Sequence, residues 1–320
     1  MGAWLSRWAG AAFALCVCVG GASAQQQINR IIVPFAPGGG QDVLARVIAP
    51  ELGRLMGQTY IVENRAGAGG AVGGLAVARS APDGATLLMA ASGLSIAAAT
   101  NANAGYDPIR DFTHVAHVGS GAYLLLSSAR VPAKSVRELI AHAKANPGKL
   151  NYASAGAGSA THLATAYFTS RAGLDVVHVP FKSSGQALNS VLTGETQFII
   201  VPTLGSQSYL ENKDIRVLAV VSKSRLPALP DIPTVDESGL PGFEFLSWFG
   251  LLGPANMPAD VTKKINDAVI RILAQPEIAA KIDQQGIEPK PMAPEAFTKS
   301  VAENFEVIKQ IVKTTGFAAK

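Results

Sequence analysis

The sequence predicts an α/β fold made of two similar units. Three observations carry this. Short β-rich runs alternate with stretches of helical spacing through most of the chain. Gly-rich turns follow strands and open helices in both halves. The composition suits a packed core: of 320 residues, 48% are hydrophobic and 16% charged, too apolar and too weakly charged for a disordered chain. The length is enough for about two domains. With 32 glycines and 7% aromatics, the core is expected to use Ala, Val, Ile and Leu with close backbone contacts. The formal net charge of +4 comes without a Lys/Arg block, so no nucleic-acid surface is expected.

Residues 1–24 stand apart. They carry Arg7, an apolar run from Trp8 to Val19, and Ala22-Ser23-Ala24, the order of a cleavable secretory signal peptide. The apolar run is shorter than the ~20 residues of a membrane span. Cys16 and Cys18 both fall in this leader, so the exported chain is expected in the periplasm without cysteines.

Residues 30–33 read as a strand and 34–40 as a Gly-rich turn. A helix over 41–56 follows from the spacing of Leu44, Val47, Ile48, Leu52 and Leu55, with Pro50 staggering it. Residues 60–62 form a strand and 70–79 a small-residue helix stopped by Pro82-Asp83-Gly84, and 86–90 form a third strand. That order implies a parallel sheet with helices on both faces. The pattern then repeats. Ser135 and Glu138 make a capping box opening a helix to Ala145. A strand over 150–153, a helix over 159–171, a strand over 175–179, a helix over 185–192 and strands over 197–201 and 215–221 follow. Val33-Pro34-Phe35 and Val179-Pro180-Phe181 hint at an internal repeat. Prolines at 227, 230, 233, 241, 254 and 258 mark an extended, ordered connection that contains a short strand over 248–252. Helices over 258–274, 276–284 and 294–315 each open near a proline. This tail offers no strands, so it is expected to pack back onto one of the α/β units.

Several enzyme signatures are missing. Each Gly-x-Gly pair (38/40, 67/69, 156/158) is followed by Val43, Val72 or Thr161 where a dinucleotide fingerprint needs its third glycine. Gly148-Lys149 runs into Leu150 and makes no phosphate-binding loop. There is no Gly-x-Ser-x-Gly elbow. His114 and His117 lie three apart in a strand-like run, which sends them to opposite faces and argues against a shared metal. His178 reads as a structural histidine at a strand end. His162, in the first turn of a helix after a Gly/Ser turn, is a candidate to face a cleft.

What is present is a set of Gly-rich turns, which read either as tight βα turns needing glycine for their backbone or, as three of them in two units favour, as anion sites. Turns at 37–42, 65–70 and 155–161 follow strands and open helices. A helix N-terminus leaves about four unpaired N–H donors and a positive partial charge. Glycine lets a carboxylate, phosphate or sulfate reach them. The first turn contributes Pro37, Gly38, Gly39, Gln41 and Asp42, the last of which is expected to cap its own helix. Asn64 and Gly69 belong to the second of these turns and its preceding strand. The turn at 155–161 contributes Gly156, with Ser154, Ser159, Thr161 and Ser92 as hydroxyl donors and His162 beside them. Phe35 and Phe181 are placed to cover a ligand from opposite sides, with Lys182 at the rim.

Residues 30–65, from Arg30-Ile31-Ile32-Val33-Pro34-Phe35 to Val62-Glu63-Asn64-Arg65, resemble the opening of the Bug receptors, periplasmic substrate-binding proteins of tripartite tricarboxylate transporters. The resemblance runs on through Gly67-Ala68-Gly69-Gly70, Asn146-Pro147-Gly148-Lys149, Val179-Pro180-Phe181-Lys182, Pro230-Asp231-Ile232-Pro233-Thr234 and Ser247-Trp248-Phe249-Gly250. It implies a two-domain periplasmic binding protein clamshell of the second class, each domain a parallel-rich sheet flanked by helices. Residues 25–125 and 248–320 would form a discontinuous first domain, and 126–247 the second. It also implies that a ligand carboxylate is held at 35–42 and 154–162, largely by backbone N–H groups. Gln41 stands where Thr or Ser is common in the family, and Phe181 where Tyr is common. Val201-Pro202 stands where a carboxylate often follows the strand, which disfavours an amino-acid ligand.

The sequence therefore points to a monomeric receptor for a small organic acid, without cofactor, metal or catalysis, that hands its ligand to membrane transporter subunits. The alternatives are a sensor that presents its closed form to a signalling receptor and, further off, an enzyme acting on a carboxylate.

Overall fold

A computed structural model describes residues 28–317 apart from positions 36, 39, 68, 69, 102, 103, 204, 205 and 316. The chain begins β1 (Ile28–Val33), α1 (Gly40–Met56), β2 (Thr59–Asn64), α2 (Ala71–Ala78), β3 (Thr86–Ala91), α3 (Gly93–Thr100) and β4 (Phe112–Gly121). It continues through β5 (Tyr123–Ser128), α4 (Val136–Ala145), β6 (Asn151–Ser154), α5 (Ala160–Ala172), β7 (Val177–Pro180), α6 (Ser184–Thr193), β8 (Phe198–Pro202), α7 (Gln207–Leu210) and β9 (Ile215–Val220). It ends with β10 (Ser247–Pro254), α8 (Ala259–Leu273), α9 (Pro276–Asp283), β11 (Ile287–Pro289) and α10 (Pro294–Thr315).

Two sheets form, with strand orders β11-β4-β10-β3-β1-β2 and β7-β6-β8-β5-β9. Each has a parallel half: β1 between β2 and β3 in the first, β6 between β7 and β8 in the second. The remaining pairings are antiparallel, so both sheets are mixed. The chain changes sheet at Ala122, between β4 and β5, and returns between β9 and β10. The topological equivalents are thus β1 with β6 and β2 with β7. The Val-Pro-Phe echo joins the end of β1 to the end of β7, which are not equivalent positions, so it marks no structural repeat.

Period-2 alternation divides each sheet between two cores. In the first, Ile31, Val33, Leu87 and Met89 face α1, α8 and α9, while Ile32, Leu88 and Ala90 face α2 and the start of α10. Leu44, Ile48 and Leu52 of α1 are fully buried, each contributing roughly 1.5–3 kcal/mol. Pro50 lies on the exposed side of α1 and does not end it, because a carbonyl left unpaired there faces water. At α4, Ser135 Oγ accepts the Glu138 N–H as the capping box requires. The Glu138 carboxylate reaches one residue beyond the cap, to the Lys134 N–H.

Three expectations change. The tail is not strandless: β11 pairs antiparallel with β4. Gly119 of β4 permits this, since a Cβ there would lie 2.4 Å from the Glu288 carbonyl oxygen. Second, the tail does not pack on one unit alone. Phe297 and Val301 of α10 sit in the first sheet's core, while Ile308, Ile311 and Phe317 join the second unit's core. Third, His114 and His117 share a face. The β4–β10 register pairs Leu252 with His114 and Leu251 with Ala116, leaving Val115 as a bulge. The extra residue reverses the parity of the strand, and both rings meet Phe297, at 5.4 and 5.1 Å.

Candidate functional site

The first turn leaves β1 at Val33 and enters α1, and its shape depends on Asp42. This buried carboxylate accepts the Gly38 N–H and the Arg46 Nε–H on Oδ2, each at 2.9 Å, and Asn64 Nδ2 on Oδ1 at 2.9 Å. Asn64, at the end of β2, also donates to the Phe35 carbonyl at 3.1 Å and accepts from Arg46. One cluster therefore ties β1, α1 and β2 together below the turn. The Arg46 hydrogen bond, with those from Gly38 and Asn64, outweighs burial and holds Asp42 down to about 2. Gln41 ties the turn to the third strand, donating to the Met89 carbonyl at 3.0 Å. Pro37 and Gly38 stay exposed, and Phe35 is 38% exposed. Gly38 has φ +85°, a conformation that favours glycine. Pro34 and Phe35 pack on the glycine face of α2: a Cβ on Gly73 would lie 2.8 Å from Pro34 and one on Gly70 3.3 Å from Phe35.

The equivalent turn in the second unit leaves β6 at Ser154 and enters α5. Ser159 is the N-cap, its Oγ accepting the His162 N–H and donating to the Gly156 carbonyl. Thr161 Oγ1 accepts the Ala155 N–H at 2.8 Å. Ser154 Oγ accepts the Gly156 N–H at 3.1 Å and lies 2.6 Å from His178 Nε2. Gly156 and Gly158 take φ of +118° and +79°. What the turn leaves half-exposed is backbone-rich: Gly156, Gly158, Ser159 and Ala160.

The expected residues thus divide. Phe35, Pro37, Gly38, Gln41, Asn64, Gly156, Ser159, His162 and Phe181 are at least partly accessible. Asp42, Ser92, Ser154 and Thr161 are buried, with their polar atoms taken by the protein itself, so they act beneath the turns. Gly39 and Gly69 lie outside the described residues. Phe181 is not a mirror of Phe35, because it packs on the core formed by Leu124, Ile199 and Val201. Ser92 Oγ pairs with Ser247 Oγ at 2.8 Å, where β3 ends and β10 begins. The buried Tyr123 hydroxyl bonds both, and burial raises it to about 12. This hydroxyl cluster lies where the chain changes sheet. Arg46 escaped the sequence reading, though its i,i+4 spacing from Asp42 is a signal.

Both turns therefore end in a helix N-terminus at the carboxyl end of a parallel strand, the place where α/β sheets bind ligands. Among the described residues, neither turn is lined by a cluster of cations. Burial pushes His162 down to about 4, with His178 adding to the effect, so its ring is neutral. A serine 2.6 Å from a histidine nitrogen has the spacing of a nucleophile pair. Here the hydroxyl is fully buried and shared with Gly156, out of reach of a substrate. Among the described residues, no group of three or more His, Cys, Asp or Glu is placed to hold a metal ion, and no helix is long and apolar enough to cross a membrane.

Comparison with known proteins gives one answer. The family model described as "Tripartite tricarboxylate transporter family receptor" matches residues 44–317. Protein BugT of Bordetella pertussis is 32% identical over 293 residues, covering 91% of this chain and 90% of that one. An R. palustris protein solved with adipate superposes with a TM-score of 0.81 at 32% identity, over 92% of this chain and 99% of that one. The periplasmic binding protein BugD does so with a TM-score of 0.79 at 31% identity, over 92% and 99%.

Proposed function

The chain belongs to the tripartite tricarboxylate transporter receptor family, the Bug-type solute-binding receptors, and from that membership we propose that it captures a small organic acid between its two Gly-rich turns and presents the closed form to a membrane transporter. The observation that carries this is the pairing of equivalent helix N-termini. α1 follows β1 across a turn with Gly38 at positive φ, and α5 follows β6 across one with Gly156 and Gly158 at positive φ. Two sets of N–H donors suit a carboxylate without a matching cation. The adipate held by the R. palustris relative is an acid of this class.

The two domains divide where the chain changes sheet, at Ala122 and in the segment before Ser247. Closure is driven by contacts that the ligand makes to both units only in the closed state. The protein works as a periplasmic monomer after loss of residues 1–24, binding its ligand without turning it over.

The ligand carries no ammonium group. Burying one needs an acceptor, best a carboxylate, and the nearby carboxylates are committed. Asp42 is held by Arg46, Gly38 and Asn64. Glu63 pairs with Arg65 at 2.7 Å and Arg30 at 3.5 Å. After β8, Thr203 Oγ1 donates to the Gly286 carbonyl at 2.8 Å. A thermal-shift screen of succinate, malate, adipate and benzoate, each against an amino analogue, tests this, with mass spectrometry of copurifying acid alongside. Acids should stabilise the protein and their amino analogues should not. Preference for the amino members overturns the ligand class, and turnover of a bound acid overturns the receptor reading.

A further inference from the structure

Beneath the second turn, four rings from four segments pack together, three of them stacked in sequence and the fourth tilted against the end. His162, in the first turn of α5, lies 3.6 Å from His178 of β7, with planes 11° apart. Tyr152 of β6 stacks on His178 at 5.0 Å. Phe317, just past α10, closes the other side, 4.3 Å from His162. It is buried, and its N–H is anchored to the Val312 carbonyl.

The two imidazoles touch the turn at its working points. His178 Nε2 lies 2.6 Å from Ser154 Oγ, which in turn accepts the Gly156 N–H. His162 Nδ1 accepts the Gly158 N–H at 3.4 Å, which it does only as a neutral ring. Two charged rings at this spacing would repel, and burial lowers both. Tyr152, the other titratable ring in the stack, is raised to about 12 by burial and stays neutral. Ser159 holds the Gly156 carbonyl through its Oγ and its N–H, while the N–H groups of Gly156 and Gly158 rest on Ser154, which meets His178, and on His162. The ring that closes the stack sits just past the end of α10, whose opposite end lies in the first sheet's core.

We propose that His178 and His162 are positioning residues for the second turn, and that Phe317, carried by the helix the two units share, holds them in place. The importance of this for binding rests on reading that turn as half of the ligand site.

Amide hydrogen exchange on the full exported chain tests the proposal without a ligand. Phe317→Ala should speed exchange at Ala155, Gly156 and Gly158 about tenfold or more while Gly38 and the strands of the first sheet keep their rates. Phe317→Tyr should restore protection. His178→Phe, which keeps a ring on the stack but removes the nitrogen, should speed Gly156 in the same way. Unchanged exchange at these three amides in both Phe317→Ala and His178→Phe overturns the proposal, as does acceleration spread evenly over the chain. The acid from the screen above that shifts melting most should bind about tenfold more weakly to both variants. If exchange speeds up while affinity holds, the positioning role stands and the turn is not the ligand site.

Discussion

Asp42 sits at the centre of the first turn because three segments each bring it a donor. Its carboxylate stays ionised down to about pH 2, below the usual value near 3.9. A carboxylate with a lowered folded pKa stabilises the fold above its unfolded pKa and loses that contribution as pH falls through the folded one. Asp42→Asn should therefore cost about 2 kcal/mol at pH 7, the range for hydrogen bonds to a charged group. The gap from the native protein should close between about pH 5 and 2. Urea unfolding at pH 7, 4 and 2.5 checks this, and a pH-independent gap would refute it. The sequence suggested that Asp42 caps its own helix; its oxygens instead take the Gly38 N–H of the turn and the Arg46 and Asn64 side chains, and Arg46 was there to be found one helical turn on. Its bond to Asn64 was not legible, because that contact depends on the register of β1 against β2, with Val33 opposite Asn64. Nor could the sequence tell which hydroxyls face a ligand and which, like Ser154 and Thr161, brace the turn from within.

At the scale of elements, long periodic segments were readable because burial repeats along them. The helix expected over 41–56 is observed as Gly40–Met56 and that over 294–315 as Pro294–Thr315. Elements whose existence depends on a distant partner were not readable. β11 is three residues long and forms only against the glycine edge of β4. The bulge at Val115, which brings His114 and His117 to one face, is defined only by the register with β10. The double role of α10 was likewise hidden: its apolar stripe is continuous, and nothing in the spacing says that half of it serves another sheet. Ile308→Ala with Ile311→Ala should remove roughly 2–5 kcal/mol per site, all of it from the second unit. Native urea unfolding is expected as one transition, because the shared helix couples the cores. The double variant should unfold in two steps, and a single transition in both proteins would show that α10 does not couple the units.

At the scale of the molecule, acid sensitivity comes from buried imidazoles spread over both units. Burial lowers His114 to about 4 and lowers His117, in the first. It does the same to His162 and His178 in the second. Unfolded histidines titrate near 6.5, so between about pH 6.5 and 4 the unfolded chain binds more protons and stability falls as pH falls. His114 alone accounts for on the order of 2 kcal/mol between pH 7 and 5. The urea midpoint should hold from pH 8 to 7 and drop clearly by pH 5; a constant midpoint over that range would mean the rings are protonated in place. The position of α10 also bears on the order in which the protein can be built. The first sheet lacks β10 and β11 until the whole second unit has been synthesised, and the second core lacks Ile308, Ile311 and Phe317 until α10 has been made. Neither core is filled before α10 joins it, so the two halves are expected to become resistant together. A chain stopped before residue 294 should be digested by a protease that the chain carrying α10 resists.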